Sequence, residues 1–273
     1  MDWVAHGHPL AALICLVACG VLGWFVPHLI ARIPEPEPET EPQPERHPEP
    51  QPEPQPHPDA DTDVVTTDAE ATPASGSRRE KVPYVEIARS PGLGVRAAST
   101  SALVGATLGA TVGLDWILPC LVFLTPVGVA LAVVDWRTML LPTRVIAPSY
   151  AVVIALLLVA AAVQQDAHAL LGAALGWAVA GGLFWLLWFI YPKGMGYGDV
   201  RLSGILGLAL GYLGWAELLV GVYAAFLIGG FGGLLLSRLR IVQRKRFPFG
   251  PFMLVGAVIG IVFGPAVVAG LGY

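Results

Sequence analysis

Two aspartates stand where acidic side chains are uncommon. Outside the acidic segment 32–96, the acids are Asp2, Asp115, Asp135, Asp166, Asp199 and Glu217. Asp135 ends the apolar run ALAVVD, and Asp199 follows Gly-Tyr-Gly at the start of another apolar run. Ionisable side chains beside long apolar segments are costly and usually serve a mechanism. Asp135 and Asp199 are therefore the candidate catalytic residues.

Two carboxyl groups at hydrogen-bonding distance do not both ionise readily, so they share one proton. One group can then take a proton from a water molecule that attacks a peptide carbonyl, while the other protonates the carbonyl oxygen. This is the chemistry of aspartyl peptidases, and it uses neither metal nor cofactor. Paired acids within a membrane also serve proton-coupled transport, so the two carboxylates alone leave both functions open.

Each aspartate also has a simpler interpretation. Asp199 could be the N-cap of the helix that follows it, and Asp135 could pair with Arg137 at a helix end. Both acids stand at an end of an apolar run, and the sequence around these runs otherwise carries few acids. Two acids in matching positions favour a functional pair over two separate structural roles.

Glycine occurs three times just before Asp199, in Gly194-Met-Gly-Tyr-Gly-Asp199. This composition predicts an unwound and closely approachable backbone rather than a helix start, so that an extended peptide could lie beside it. Gly196 and Gly198 are the residues expected to shape the site. The run is not a dinucleotide-binding fingerprint, because Asp199 stands where the third glycine belongs.

Membrane helices are the elements that must position these residues. The 273 residues are 55% hydrophobic and only 13% charged, against about a quarter charged in soluble domains, which excludes an ordinary soluble enzyme. Eight apolar runs approach the length that crosses a bilayer, and the second and sixth are the weakest. They cover roughly 9–30, 97–114, 117–134, 145–163, 169–190, 200–214, 218–236 and 249–271. The fold class expected is an all-α membrane bundle of about eight transmembrane helices.

The basic residues predict the orientation. All 16 Lys and Arg residues fall in the segments that follow the first, third, fifth and seventh runs, when Arg201 at the start of the sixth run is counted with the segment before it. Because positive charge stays on the cytoplasmic side, this side is expected to be cytoplasmic and both termini extracytoplasmic. Asp135 and Asp199 then lie at the cytoplasmic boundary of a multi-pass protein of the cell membrane.

A Pro/Glu-rich segment separates the first helix from the rest. Residues 34–58 contain eleven of the 24 prolines, and such a polar segment is expected to be a disordered, semi-rigid spacer. The expected organisation is a first helix at 1–31, a cytoplasmic linker at 32–96, and a seven-helix core at 97–273. A second interpretation makes this arm a docking ligand for a proline-recognising partner.

Metal, cofactor and nucleic-acid binding have no support in the sequence. The three cysteines form no Cys-x-x-Cys pair, and the six histidines have no ligand spacing. We expect no metal site, no cofactor and no nucleic-acid partner.

Three motifs resemble the type IV prepilin peptidases, a family of GxGD intramembrane aspartyl proteases. They are Asp135-Trp-Arg-Thr-Met-Leu-Leu-Pro142, Lys193-Gly-Met-Gly-Tyr-Gly-Asp199-Val-Arg-Leu202 and Phe247-Pro-Phe-Gly-Pro-Phe252. The exit from the first helix, Arg32-Ile-Pro34, is similar as well. Gly-x-Gly-Asp alone would be a weak signal, but the motifs in this order are specific. The resemblance implies that Asp135 and Asp199 are catalytic and that 248–251 orients the last helix.

The resemblance also implies the substrate. Members of the family remove a basic leader from prepilins and pseudopilins at the cytoplasmic face, just before the hydrophobic helix of the substrate. Many members carry a domain with two Cys-x-x-Cys pairs that is linked to N-methylation. Its place is taken here by the Pro/Glu segment, so we expect peptidase activity without methyltransferase activity. The acidic arm could attract the basic leader.

Two other functions are compatible with paired acids in a membrane protein. A proton-coupled transporter would use Asp135 and Asp199 as relay carboxylates, and inverted repeats would support it, but the surroundings of the two aspartates are unlike each other. A membrane scaffold whose proline-rich arm recruits partners, with a degenerate catalytic pair, is disfavoured because both acids are present.

Overall fold

Helices make up the regular structure of the described residues. The computed structural model describes residues 8–35, 83–192, 194–238 and 248–270. Their helices, in chain order, are α1 (Pro9–Trp24), α2 (Val26–Ala31), α3 (Tyr84–Ala88), α4 (Leu93–Val112), α5 (Leu118–Thr138), α6 (Thr143–Gln164), α7 (Ala167–Ile190), α8 (Tyr197–Leu213), α9 (Trp215–Arg238) and α10 (Gly250–Gly270). The predicted all-α fold class is confirmed.

Six helical segments of the described residues are long and apolar enough to cross a membrane. They are α1 with α2, then α5, α6, α7, most of α9, and α10. The two weakest predicted spans correspond to α4 and α8, which do form helices. The apolar character of α4 is reduced by its serines and threonines, and α8 has only 17 residues. The expected count of eight transmembrane helices is thus approximate. The two helices that fall short of a membrane span, α4 and α8, are the two whose spans the sequence predicted least strongly.

Glycines allow the helices to pack in close pairs. A Cβ atom added at Gly172 of α7 would lie 2.5 Å from the Gly211 carbonyl oxygen of α8, and one at Gly256 of α10 would lie 2.6 Å from the Gly221 carbonyl oxygen of α9. Gly109 of α4 meets α1 in the same way. Small residues that let backbones approach are the usual means of helix packing in lipid, and they join α1 to α4, α7 to α8 and α9 to α10.

Ordered structure begins before the predicted end of the linker. Helix α3 lies within the segment assigned to the linker, and its Tyr84 and Ile87 side chains are buried. Helix α4 likewise begins at Leu93 rather than at 97. Two apolar side chains at this spacing can anchor a short helix although the surrounding composition is polar. The Pro/Glu-rich part of the linker lies outside the described residues.

Candidate active site

Asp135 lies in the last turn of α5. Only 4% of its surface is exposed. The helix ends where Met139 adopts a left-handed conformation with φ 55°, and the Met139 N–H donates to the Asp135 carbonyl at 2.8 Å. The chain then turns towards α6 through Leu141 and Pro142, so this helix end holds the aspartate at the edge of the bundle interior.

Asp199 lies in the first turn of α8 and is 7% exposed. The N-cap position belongs to Gly196, which has extended dihedral angles (φ −74°, ψ 141°). Asp199 is therefore not the N-cap residue. The expectation that the whole glycine run is unwound is also only half correct, because α8 already begins at Tyr197. A glycine lowers helix stability by only about 1 kcal/mol, and packing of the first turn outweighs that cost.

The fold brings the two aspartates together. They lie on helices separated by two others in the chain, yet the Asp135 carboxylate acts electrostatically on that of Asp199. Both side chains are buried, so water screens their interaction little. The arrangement is a pair of buried carboxyl groups at one end of the bundle, which we call the aspartate end.

Gly250 is the site residue that the sequence reasoning missed. Its backbone N–H, at the first residue of α10, donates to Asp135 Oδ2 at 3.0 Å. A Cβ atom at this position would lie 2.8 Å from the same oxygen. The motif at 248–251 was expected only to orient the last helix. The signal in the sequence was a glycine at the start of a predicted helix. The first N–H groups of a helix have no partner within the helix, and a glycine lets another side chain approach them closely.

The hydrogen bond from Gly250 also bears on the alternative interpretation, in which Asp135 pairs with Arg137 at the helix end. Among the described residues, the hydrogen-bond donor to its carboxylate is Gly250 rather than the exposed Arg137. A hydrogen bond to a charged acceptor is stronger than one between neutral groups. It therefore holds the carboxylate in a defined orientation.

The two glycines expected to shape the site differ. A Cβ atom at Gly198 would lie 2.6 Å from the Cβ atom of Leu141, whereas one at Gly196 would meet the nearest atom of Asp199 at 3.6 Å, an ordinary contact. Gly198 thus allows the first turn of α8 to lie against the loop that follows Asp135. Gly196 has room around it.

Helix α6 clamps the beginning of α8. The Tyr150 hydroxyl donates to the Arg201 carbonyl at 2.8 Å, and the Arg201 guanidinium donates to the Thr143 hydroxyl. The same guanidinium lies 4.7 Å from the ring centroid of Tyr197, a distance at which cation–π attraction is favourable. These contacts hold the turn that carries Asp199 in place.

An apolar cavity of about 210 Å³ comes within one helical turn of the pair, although neither aspartate is among its lining residues. Helices α4, α5, α6, α8 and α10 line it, and its walls include Ala132, Leu202 and Pro251. Each of these lies within one helical turn of Asp135, Asp199 or Gly250. The described residues contain no cluster of His, Cys, Asp or Glu that could ligate a metal ion.

The comparison with protein families covers both aspartates. Residues 121–234 match the Type IV leader peptidase family. This match agrees with the resemblance drawn from the motifs over that stretch. Together with the long apolar helices, it indicates a multi-pass protein of the inner membrane.

Curated proteins similar to this chain carry names that agree with the family match. A prepilin leader peptidase/N-methyltransferase from Aeromonas hydrophila is 32% identical over 169 residues, 61% of this chain and 57% of the relative. The protein of that name from Pseudomonas aeruginosa is 27% identical over 284 residues, 97% of this chain and 94% of the relative. One from Escherichia coli (strain K12) is 33% identical over 136 residues, 48% of this chain and 57% of the relative. The chain thus spans little more than half of the Aeromonas relative, and no solved structure matches it significantly.

Proposed function

We propose that this chain is an aspartyl endopeptidase that removes the leader peptide from type IV prepilins and pseudopilins, with Asp135 and Asp199 as its catalytic residues. One observation carries the proposal: two buried carboxylates from distant helices interact with each other inside the segment that matches the leader peptidases. The names of the relatives supply the substrate class.

The pair begins the reaction with one shared proton. The ionised carboxylate takes a proton from water, whose oxygen attacks the carbonyl carbon of the peptide bond, and the protonated carboxyl group gives its proton to the carbonyl oxygen. The C–N bond then breaks as a proton passes to the nitrogen, which releases a carboxylic acid and an amine. The pair is left with one shared proton. The Gly250 N–H stabilises negative charge on Asp135, so we assign Asp135 as the base and Asp199 as the acid.

The apolar cavity supports a substrate with a hydrophobic segment. Its walls run from the residues beside the aspartates towards the middle of the bundle, as far as Leu121 and Ile261. In this proposal the leader lies outside the bundle, and the first apolar side chains after the cleaved bond occupy the cavity. The placement of the basic residues in the sequence supports cleavage at the cytoplasmic face.

We propose a peptidase without methyltransferase activity. The relatives are named for both reactions, but this chain contains only three cysteines and no Cys-x-x-Cys pair. The three thiols lie buried in helices α1 and α5. Mass spectrometry of the new amino terminus of a cleaved substrate distinguishes a free amine from an N-methylated one.

Co-expression with a type IV prepilin tests the peptidase. Asp135→Asn and Asp199→Asn keep the side-chain size and should each reduce leader removal by about 10²–10⁴-fold, followed as a gel shift. The control is Glu86→Gln, which removes an exposed carboxylate from α3 and should cleave normally. Full cleavage by either Asn variant would overturn the assignment. Cleavage by purified protein in detergent separates a peptidase from a transporter, because transport needs two compartments.

A further inference from the structure

A second polar site lies at the other end of the bundle. Asp115 precedes α5, Asp166 precedes α7, and Glu217 is in the first turn of α9. The three acids line one cavity of about 310 Å³. Roughly 10–15 Å³ hold one water molecule, so the cavity has room for a group of several atoms. We call it the acidic pocket, formed by these three residues with Gln164 and Tyr212.

Asp115 and Asp166 are each held in position by hydrogen bonds to one of their two carboxylate oxygens. Asp115 Oδ1 accepts from the Ile117 N–H and from Gln164 Nε2, both at 2.9 Å. Asp166 Oδ1 accepts from the Ala169 N–H at 3.0 Å. Within the described part of the chain, these bonds leave the Oδ2 atom of each side chain without a hydrogen-bond donor.

Tyr212 is the observation that points to a ligand. It lines the acidic pocket, is only 7% exposed, and its hydroxyl has no hydrogen-bond partner among the described residues. Asp115 and Asp166 act electrostatically on this hydroxyl. Buried hydroxyl groups are almost always hydrogen-bonded, because burial without a partner is unfavourable. A bound group would supply the missing partner.

The chemistry of the pocket selects a cation that donates hydrogen bonds. Ionised carboxylates only accept, and the described residues that line the pocket include three acids and no Lys or Arg. Direct metal ligation does not fit, since no three acids of the described residues are grouped closely enough to hold one ion. Apolar residues, including Ile117, Leu213 and Pro265, form the rest of the wall. A primary ammonium group on a carbon chain satisfies both kinds of surface, because it has three N–H donors and no acceptor.

Two tryptophans place the pocket at the depth of lipid headgroups. Trp116 follows Asp115 directly and is 53% exposed, and Trp215 precedes Glu217 by two residues and is 49% exposed. Exposed tryptophans at the ends of membrane helices lie at the headgroup level. We propose that the acidic pocket binds the primary ammonium group of an aminophospholipid headgroup, with Asp115, Asp166 and Tyr212 accepting its N–H donors.

Thermal unfolding of the full chain in lipid nanodiscs tests the proposal without reference to peptidase activity. Nanodiscs of phosphatidylethanolamine are compared with nanodiscs of phosphatidylcholine, whose quaternary ammonium has no N–H donor, with the same fraction of phosphatidylglycerol in both. The ethanolamine lipid should raise Tm by about 5–10 °C if it is near 100 times its dissociation constant. Equal Tm values in the two lipids would overturn the proposal.

Tyr212→Phe separates binding from folding. In phosphatidylcholine this variant should be at least as stable as the parent, because it removes an unpartnered hydroxyl, yet it should lose most of the rise in phosphatidylethanolamine. The double variant Asp115→Asn, Asp166→Asn should lose all of it. The control is Tyr223→Phe at a side chain that is 68% exposed, which should keep the full rise. A Tyr212→Phe protein that keeps the full rise would refute the site.

Added solutes identify the source of the cation. Spermidine, CaCl₂ and MgCl₂ are each added to phosphatidylcholine nanodiscs. No rise in Tm with any of them, beside a rise with phosphatidylethanolamine, supports a lipid headgroup. A rise with spermidine alone, lost in the Tyr212→Phe variant, would replace the lipid by a soluble amine. A rise only with the metal salts would overturn the ammonium assignment.

Discussion

Replacing Gly250 by alanine should impair the reaction while leaving the fold intact. The added Cβ atom would lie 2.8 Å from Asp135 Oδ2, whereas ordinary contacts of a Cβ atom begin at 3.4 Å. The carboxylate therefore has to move by about 0.6 Å, and its 3.0 Å hydrogen bond from the Gly250 N–H is stretched or lost. Hydrogen bonds to charged groups contribute about 1.5–3 kcal/mol, and 1.36 kcal/mol corresponds to tenfold in rate. We expect kcat/KM for leader cleavage to fall about 10–100-fold.

The assay is cleavage of a purified prepilin by the purified enzyme in detergent, with kcat and KM measured separately. The loss should appear mainly in kcat, because Gly250 holds a catalytic group rather than the substrate. Gly182→Ala is the matched control, since a Cβ atom there meets no atom within 4 Å. If Gly250→Ala and Gly182→Ala cleave equally well, and both are present in the membrane in equal amounts, Gly250 does not position Asp135.

Three further predictions concern the glycines before Asp199, the packing of α7 against α8, and the acidic arm. Gly198→Ala should reduce cleavage more than Gly196→Ala in the same assay, because only the former forces its Cβ to within 2.6 Å of Leu141; equal losses would contradict this packing. Gly172→Leu should lower the yield of folded protein in size-exclusion chromatography, since α8 backbone lies 2.5 Å from the Cβ position, and an unchanged elution profile would argue against the close α7–α8 contact. Deleting 35–63 should raise KM for a prepilin with a basic leader, most clearly at low salt where charges are least screened; cleavage without any loss would eliminate a role for the acidic arm.

The helices were the most predictable part of the molecule. Apolar runs of this length have few alternatives in a membrane, because every backbone N–H and C=O group must be paired within the segment. Helix α3 was not predicted, because a five-residue helix in a polar segment depends on burying Tyr84 and Ile87 rather than on composition.

The aspartates were predictable for a different reason. The sequence contains few acids outside the arm, so Asp135 and Asp199 were conspicuous by their position alone. The conformation around Asp199 was less predictable, since glycine content weakens a helix without preventing it. Gly250 was missed because its function resides in a backbone N–H, a group that every residue except proline carries.

What the sequence by itself determined is the class of molecule and the pair of acids. Both follow from composition and position, because the cost of charge beside apolar segments restricts where acids can occur. Only the tertiary structure decided which groups meet. The contact of Gly250 with Asp135 spans 115 residues, and Asp115, Asp166 and Glu217 line one cavity with Tyr212 although they come from separate segments. Such contacts depend on how helices pack in three dimensions, which periodicity and spacing along one chain do not encode.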